Sequence, residues 1–341
     1  MGETSLLLWL GFSAFIVAML ALDLGVFSRR AHEVSFREAA IWSAVWIGLA
    51  LLFNLGLYAW RGQEVALQFF TGYLIEKTLS VDNIFVFVLI FAALAVPSNL
   101  QRRLLSLGVI GALFMRAILI FAGAALIERF HWIVYLFGVF LIITGVRFFF
   151  QQEKEAEPEK NPVIRLARRF FPVTPDYEAE RFVLRRDGRL FITPLLIALL
   201  AVESADLIFA LDSIPAIFAI TQDPFIVFTS NAFAILGLRA LYFLLAGSIT
   251  RLHYLKYALA AALVFVGLKM TFSDVLHLPI ALSLAIIIVI LGAAVVFSLA
   301  HKPAQKSAVH AISPDATADN AEVETATERP AQPSLPREDR R

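Results

Sequence analysis

Cysteine is absent from the 341-residue chain. Its absence excludes disulfide frameworks, thiolate metal sites, iron–sulfur clusters and cysteine nucleophiles. Charged residues are also scarce, at 17% of the chain against 59% hydrophobic residues, whereas soluble domains average about 45–50% apolar residues. This composition indicates a protein embedded in lipid. Any metal ion that it binds must be held by oxygen atoms or imidazole.

Apolar stretches long enough to cross about 30 Å of hydrocarbon as helices recur from Leu6 to Ala300. We predict an all-α, polytopic membrane helix bundle of about nine transmembrane helices. The first stretch follows a leader that is not basic, so we interpret it as a retained helix and not as a signal peptide. The predicted spans are residues 6–27, 39–60, 67–96, 104–127, 131–150, 192–220, 225–250, 255–272 and 279–300.

The basic residues of the loops predict the orientation. Nine Lys and Arg lie between Lys154 and Arg189, whereas the loops on the opposite side hold only Arg61 and Arg129. Because cytoplasmic loops are enriched in Lys and Arg, we expect a multi-pass protein of the cell inner (plasma) membrane with its N-terminus outside and its C-terminus cytoplasmic. Residues 151–190 then form a solvated cytoplasmic connector. Residues 302–341, which lack periodicity, are interpreted as a disordered cytoplasmic tail.

The sequence contains an internal repeat. Ser80–Val86 matches Ser204–Ala210 at an offset of 124, with four of seven positions identical. Arg116 then matches Arg239, and Gly145 matches Gly267. Each repeat spans three predicted helices, and because three is odd the two units have opposite orientations, giving an inverted three-plus-three repeat. Such repeats are typical of transporters that alternate access around a midplane site; the alternative is an ordinary duplication without a transport role.

The repeat divides the chain into six predicted segments. They are N-terminal helices 1 and 2 (residues 1–66), the first repeat of helices 3 to 5 (67–150), the cytoplasmic loop (151–190), the second repeat of helices 6 to 8 (191–272), helix 9 (273–301) and the tail (302–341).

Ionisable side chains inside the predicted spans are the main functional candidates, because each costs about 2.5–3.5 kcal/mol at the centre of a membrane helix. Two of the acids, Asp82 and Asp206, are related by the repeat, and we expect them to approach each other across its axis. Two such carboxylates repel unless a proton or cation lies between them. The predicted spans hold five candidate acids and three bases, which together leave a formal charge of −2 that one dication neutralises. The acids are Glu76, Asp82, Glu203, Asp206 and Asp212, and the bases are Lys77, Arg116 and Arg239.

Helical spacing refines this candidate site. Residues three apart share a helix face, so Glu203 and Asp206 are expected to point into one site. Pro215 removes a backbone hydrogen bond from Leu211, which predicts a helix break around Asp212 and frees carbonyls for a cation. The alternative for Asp212 is a structural carboxylate satisfied by a neighbouring serine or the local backbone. Arg116 and Arg239 are expected to pair with the carboxylates when the site is empty.

An oxygen-only ligand set indicates a hard or borderline ion such as Mn²⁺, Mg²⁺ or Ca²⁺ rather than copper or zinc. His131, His253 and His277 lie at predicted span ends, so we do not expect them to be ligands. No resident cofactor is predicted, because the metal is the expected substrate. Further candidate oxygen donors, each of which also fits helix packing, are Asn83, Asn231, Ser80 and Ser204.

Three stretches resemble the TerC family of membrane proteins, named for tellurium resistance, and within it the Alx-like manganese exporters. They are residues 21–27 (ALDLGVF), 71–83 (TGYLIEKTLSVDN) and 203–217 (ESADLIFALDSIPAI). The likeness covers about residues 20–300. It implies a superfamily of cation and amino-acid exporters, with manganese efflux as the task and the Glu and Asp of the last two stretches as functional residues. Asp23 also fits the family pattern, or it balances Arg29 or Arg30.

The sequence therefore predicts a transporter, not an enzyme, that exports Mn²⁺ by alternating access around a midplane carboxylate site. One alternative is transport of another cation such as Ca²⁺. Another is a membrane-assembly or stress scaffold linked to tellurite resistance, in which the midplane carboxylates are structural. The expected partners are the lipid bilayer and a divalent metal ion, with no nucleic acid, while the oligomeric state and the coupling ion stay open.

Overall fold

The structure is a computed structural model that describes residues 6–28, 35–150, 161–177, 181–186, 189–245, 255–275 and 278–300. Several predictions concern residues outside these ranges. They are the disordered tail, the start of the connector at residues 151–160, and a role for Arg29 and Arg30.

Helices dominate the described residues. Those that correspond to the apolar stretches are α1 (Leu6–Ser28), α2 (Phe36–Arg61), α3 (Gln63–Ala93), α4 (Ser98–Arg129), α5 (Ile133–Phe150), α7 (Pro194–Phe218), α8 (Pro224–Leu236), α9 (Leu238–Leu245), α10 (Leu255–Thr271) and α11 (Ile280–Ala300). The predicted positions of the apolar helices are thus confirmed to within several residues, except that the seventh predicted span consists of two helices, α8 and α9.

The connector is more ordered than predicted. It contains a short helix, α6 (Pro162–Phe170), and two antiparallel strands, β1 (Val183–Arg186) and β2 (Arg189–Ile192). The all-α prediction was therefore wrong in this segment, because a two-stranded hairpin carries no long hydrophobic run that would reveal it. The prediction of a purely solvated connector was wrong as well, since Ile164 on α6 is fully buried.

The number of membrane spans is only partly determined. Six of the described helices are long and apolar enough to cross a membrane, and the α8–α9 pair, bent by 41°, makes a seventh if it forms one span. Helix α3 has 31 residues but carries Glu76, Lys77 and Asp82, while α10 has 17 residues. The protein is thus a multi-pass membrane protein, and the count of nine spans stays a prediction.

Local signals explain where the functional helices begin. The hydroxyl of Thr193 accepts a hydrogen bond from the amide of Leu196 at the start of α7, and the carboxylate of Asp223 accepts one from Phe225 at the start of α8. In both helices proline occupies the first position, where its missing N–H costs nothing. Gly62, at φ 89°, allows α2 and α3 to be joined by a single residue.

Helix α7 does not break at Asp212, so the predicted break there was wrong. The helix continues through Pro215 to Phe218. Proline removes only one backbone hydrogen bond, and the residues that follow it, Ala216 to Phe218, are buried and hold the last turn in place. The break lies instead at Gly237, between α8 and α9.

The bundle places four helices at its centre. Helix α3 packs against α7 and α8, and α4 packs against the same two helices. Helices α1, α2 and α11 carry many exposed large apolar side chains, among them Leu7, Leu52 and Val289. Such a surface fits lipid rather than water. Polar groups on the inner faces of α3, α4, α7 and α8 are therefore shielded from both lipid and water.

Helices α5 and α10 form a close, antiparallel seam. A Cβ atom added at Gly138 would lie 2.9 Å from the carbonyl oxygen of Gly267, and one added at Gly145 would lie 2.8 Å from that of Ala260. Under the offset of 122, Gly138 corresponds to Ala260 and Gly145 to Gly267. The two contacts are thus equivalent under the repeat, with the order of residues reversed along the partner helix.

The seam gives a first prediction, because its backbone contacts leave no room for a side chain. We expect Gly138→Ala to destabilise the protein by about 1–3 kcal/mol, since the added methyl group would lie 2.8 Å from the backbone nitrogen of Thr271. Thermal unfolding of the detergent-solubilised protein measures the effect. The matched control is Gly292→Ala in α11, where, apart from the adjacent turns of α11 itself, no atom of the described residues lies within 4 Å of the added carbon. Equal melting temperatures for the two variants would contradict the close seam.

Candidate functional site

Arg116 of α4 lies at the centre of a buried ionic cluster between α3 and α7. Its side chain is 1% exposed, and those of its partners Glu76 and Asp206 are 0% and 3% exposed. The guanidinium donates to Asp206 through Nε (3.1 Å to Oδ2) and Nη2 (2.9 Å to Oδ1). Its Nη1 donates to Oε1 of Glu76. One guanidinium therefore joins two carboxylates from two different helices.

Two amide side chains complete the cluster. Asn83 donates to Oδ1 of Asp206 at 3.3 Å, and Asn231 of α8 donates to Oε2 of Glu76 at 3.2 Å. Arg116 also donates to the oxygens of Asn231 (3.3 Å) and Ser213 (3.4 Å). All four central helices thus contribute a polar side chain. These partners satisfy the buried charges, which would otherwise be very costly in such a place.

The formal charges of the Arg116 cluster do not cancel. Two carboxylates and one guanidinium carry a formal charge of −1. Without Arg116 the carboxylates of Glu76 and Asp206 would supply −2, the complement of one dication. The guanidinium thus supplies the positive charge between these two acids.

Glu203 lies three residues before Asp206 and next to α4. Its Oε2 is buried and has no hydrogen-bond partner among the described residues. The carboxylate packs against Gly108 and Gly111, and a methyl group at Gly111 would overlap it. Gly111 therefore makes room for this acid, whereas a side chain at Gly108 would only be in ordinary contact with it. The amide oxygen of Asn83 is likewise buried and without a partner in the described part of the chain.

The other predicted acids have different neighbours. Asp82 lies under the electrostatic influence of Lys256 on α10. Asp212 interacts with Thr144 and Arg147, both on α5. The partner of Asp206 in the cluster is therefore Glu76, bridged by Arg116. Asp82 is the neighbour in sequence of Asn83, which itself bonds to Asp206.

The remaining predicted donors bond to backbone. Ser80 donates to the carbonyl of Glu76, and Ser204 donates to that of Leu200, each one turn back in its own helix. Lys77 donates to the carbonyl of Ala234 at 3.2 Å, near the C-terminal end of α8. Its ammonium also lies beside Gly237, where the helix breaks. A cation at a helix C-terminus is favoured by the helix dipole.

Arg239 belongs to a second buried ion pair. Its Nη2 lies 2.7 Å from Oδ1 of Asp23 and donates to the backbone carbonyl of Asp23 at 2.6 Å. Its Nη1 donates to the hydroxyl of Ser106 at 2.8 Å. The prediction that Arg239 reaches the midplane carboxylates was therefore wrong, because α1 supplies an acid nearer to it. Asp23 pairs with Arg239, which joins α1, α4 and α9.

This second pair gives a prediction of its own. We expect Asp23→Ala to lower the free energy of unfolding by about 3 kcal/mol, because it leaves the buried Arg239 guanidinium without its carboxylate. Thermal unfolding in detergent measures the loss. The control is Arg61→Gln, which breaks the partly exposed pair with Asp223 (2.9 Å) and should cost only about 0–1 kcal/mol. A smaller loss for Asp23→Ala than for Arg61→Gln would show that the buried pair is not structural.

No ready-made metal site is visible in the residues described. Within those ranges, no three His, Asp or Glu side chains converge in a group that could hold a metal ion. The sequence analysis did not assign three residues to these clusters: Gly111, which leaves room for Glu203, and Ser106 and Ser213, which accept hydrogen bonds from the buried arginines. The available signal for Gly111 was its spacing of three residues from Gly108 on α4, because small residues at such spacings occur where membrane helices approach closely.

The sequence of the chain is similar to that of a family of membrane proteins. The Integral membrane protein TerC family matches residues 61–306. The chain is 58% identical over 292 residues to the membrane protein STKORF319 of Myxococcus xanthus, covering 86% of this chain and 92% of that protein. It is 50% identical over 294 residues to the "Putative membrane-bound redox modulator Alx" of Escherichia coli (strain K12), covering 84% and 92%. No solved structure matches the chain.

Proposed function

This chain belongs to the TerC family of integral membrane proteins, and on that premise we propose that it exports a divalent metal cation, Mn²⁺, across the membrane. The single observation that carries the proposal is the Arg116 cluster. Two carboxylates, Glu76 and Asp206, meet a cation inside a membrane bundle, where ionisable groups usually mark an ion pathway. The family and its relatives support a membrane protein; the substrate and the mechanism are our inference.

In the proposed cycle, Arg116 is an internal stand-in for the metal. When the site is empty, its guanidinium neutralises the carboxylates of Glu76 and Asp206. An entering dication displaces the guanidinium and gains both carboxylates, together with the unpartnered oxygens of Glu203 and Asn83. After release the guanidinium returns. The protein thus avoids a state in which two bare carboxylates face each other in a medium of low dielectric constant.

The ligand types suit the proposed substrate. Carboxylate and amide oxygens favour Mn²⁺, Mg²⁺ or Ca²⁺ over copper or zinc. Asp82 and Asp212 are proposed as further carboxylates along the ion path, because they lie on α3 and α7, the helices that carry Glu76 and Asp206. The chain has no cysteine, so the proposal includes no thiol chemistry despite the redox term in the name of the Escherichia coli relative.

Alternating access is supported by two features. The seam between α5 and α10 pairs repeat-related residues in reversed order, as a two-fold axis perpendicular to these helices would require; such an axis lies in the membrane plane, as in inverted repeats. In addition, two further ion pairs join helices outside the Arg116 cluster. Arg239 and Asp23 tie α9 to α1, while Arg61 and Asp223 tie the end of α2 to the start of α8. We propose that these pairs open in turn.

Flux measurements with purified protein test the proposal. Proteoliposomes that enclose a metal-sensitive dye are exposed to Mn²⁺, Ca²⁺ or Mg²⁺ in parallel. We expect protein-dependent uptake of Mn²⁺ above that of empty vesicles, with Ca²⁺ and Mg²⁺ transported more slowly. Faster Ca²⁺ uptake would change the substrate but not the site. No flux of any of these ions, from protein shown to be folded and inserted, would favour the scaffold alternative.

A further inference from the structure

Helix α6 has two different apolar surfaces. Ile164 is 0% exposed and packs in the main hydrophobic core, with Ala167 three residues later on the same face. A second stripe consists of Val163, Leu166 and Phe170, which are spaced three and four residues apart and are 42%, 56% and 68% exposed. A water-facing helix does not need this second stripe.

The contacts of the connector with the bundle indicate where this stripe lies. The hydroxyl of Tyr177 donates to the carbonyl of Leu94, just after α3 ends, at 2.7 Å. The guanidinium of Arg103, near the start of α4, lies 5.3 Å from the ring centroid of Phe182. Helix α6 itself packs against α7. The connector thus lies against the ends of bundle helices, where hydrocarbon gives way to headgroups.

The charge on α6 is of one sign. The helix carries Arg165, Arg168 and Arg169, all exposed, and no acidic residue. In the hairpin, Arg185 and Arg189 are also exposed. A short helix with an apolar stripe beside arginines, lying at the end of a membrane bundle, has the composition of an interfacial helix.

We propose that α6 lies in the membrane interface and binds anionic phospholipid headgroups of the adjacent leaflet. The stripe of Val163, Leu166 and Phe170 enters the boundary between headgroups and acyl chains. Arg165 and Arg169 contact the lipid phosphates. This surface is separate from the ion site, so the proposal does not depend on the transported substrate. By the distribution of Lys and Arg, the leaflet is the cytoplasmic one.

The absence of cysteine makes the test specific, because one introduced cysteine gives one labelling site in the full-length protein. Phe170→Cys is labelled with an environment-sensitive fluorophore, and the protein is placed in nanodiscs that contain a lipid quencher at headgroup depth. The discs consist of phosphatidylcholine alone or of phosphatidylcholine with phosphatidylglycerol. Asp176→Cys, at an exposed position of the same connector, is the matched control.

We expect the label at position 170 to be quenched at least twofold more than the label at 176, and more strongly in the discs with phosphatidylglycerol. Arg165→Gln with Arg169→Gln should remove that extra quenching, because each basic residue near an anionic surface contributes about a five-fold preference. Both arginines are exposed, so these changes should leave the bundle folded. Equal quenching at 170 and 176 would overturn the proposal. So would quenching at 170 that depends on neither lipid charge nor the arginines.

Discussion

Asp206→Asn should abolish Mn²⁺ export while leaving the protein in the membrane. The variant keeps the shape of the side chain but removes one charge from the cluster. Arg116 then still has Glu76 as its carboxylate partner, so the empty cluster becomes neutral and the fold is retained. A dication would meet one carboxylate there instead of two. We expect at least a roughly 100-fold loss of apparent affinity for Mn²⁺, since losing even an outer partner of a metal ligand costs 10–100-fold.

The measurement is the manganese content and manganese tolerance of cells that lack other manganese exporters, with membrane abundance determined by immunoblot. Glu76→Gln should behave like Asp206→Asn, because it also leaves Arg116 one carboxylate. Asp274→Asn is the control; this residue is exposed and accepts a hydrogen bond from Tyr135, so its loss should not affect transport. Export at the wild-type level by Asp206→Asn would remove the cluster from the metal pathway.

Asp82→Asn tests whether Asp82 is a central metal ligand or only a carboxylate along the ion path. From the repeat, this variant is also expected to lose transport. In the structure Asp82 lies under the electrostatic influence of Lys256 of α10. If Asp82 serves only as a carboxylate along the path, its variant should slow transport at low Mn²⁺ and recover at high Mn²⁺. Asp206→Asn should need at least about 100-fold more Mn²⁺ than the wild type before transport recovers. Identical dose dependence for the two variants would instead place Asp82 with the central ligands.

Arg116→Met should be the most destabilising single change in the bundle. It removes the cation from between Glu76 and Asp206 and leaves two buried carboxylates facing each other. Breaking a buried ion pair costs about 3–5 kcal/mol, and here the upper end is expected because two acids lose the same partner. The readout is the yield of monodisperse protein and its unfolding temperature in detergent. Arg129→Met, at the exposed end of the same helix, is the matched control.

Two additions separate loss of charge balance from simple loss of packing. Mn²⁺ should raise the unfolding temperature of Arg116→Met more than that of the wild type, because the ion then has no guanidinium to displace. Adding Asp206→Asn to Arg116→Met should restore part of the lost stability by removing one of the facing charges. If neither Mn²⁺ nor Asp206→Asn restores any stability, Arg116 does not act as a counter-cation.

The helices were predictable from sequence because a membrane span requires a long apolar run, and such runs are visible without knowing any neighbour. The break was not. Pro215 is the stronger local signal, yet the chain bends at Gly237, where Lys77 of α3 contacts the end of α8. That contact joins residues 157 positions apart. A helix break stabilised by a distant side chain leaves no local mark in the sequence.

The buried ionic cluster was predictable in its residue types but not in its pairing. Charged residues inside apolar spans identified Glu76, Arg116 and Asp206, because their cost makes them conspicuous wherever they occur. Which acid faces which base depends on how each helix is rotated about its axis. One residue along a helix turns a side chain by about 100°, so a rotation of little more than a quarter turn exchanges Asp82 for Asn83. The pairing of Arg239 with Asp23 likewise required knowing that α1 packs beside α9.

The contacts of the seam between α5 and α10 come in symmetric pairs. When two identical subunits pair about a two-fold axis, every contact occurs twice. If residue i of the first subunit touches residue j of the second, then residue j of the first also touches residue i of the second. Gly138 with Gly267 and Ala260 with Gly145 follow this rule inside one chain. The seam therefore has the form of a two-fold symmetric homodimer interface, although both of its sides belong to one chain.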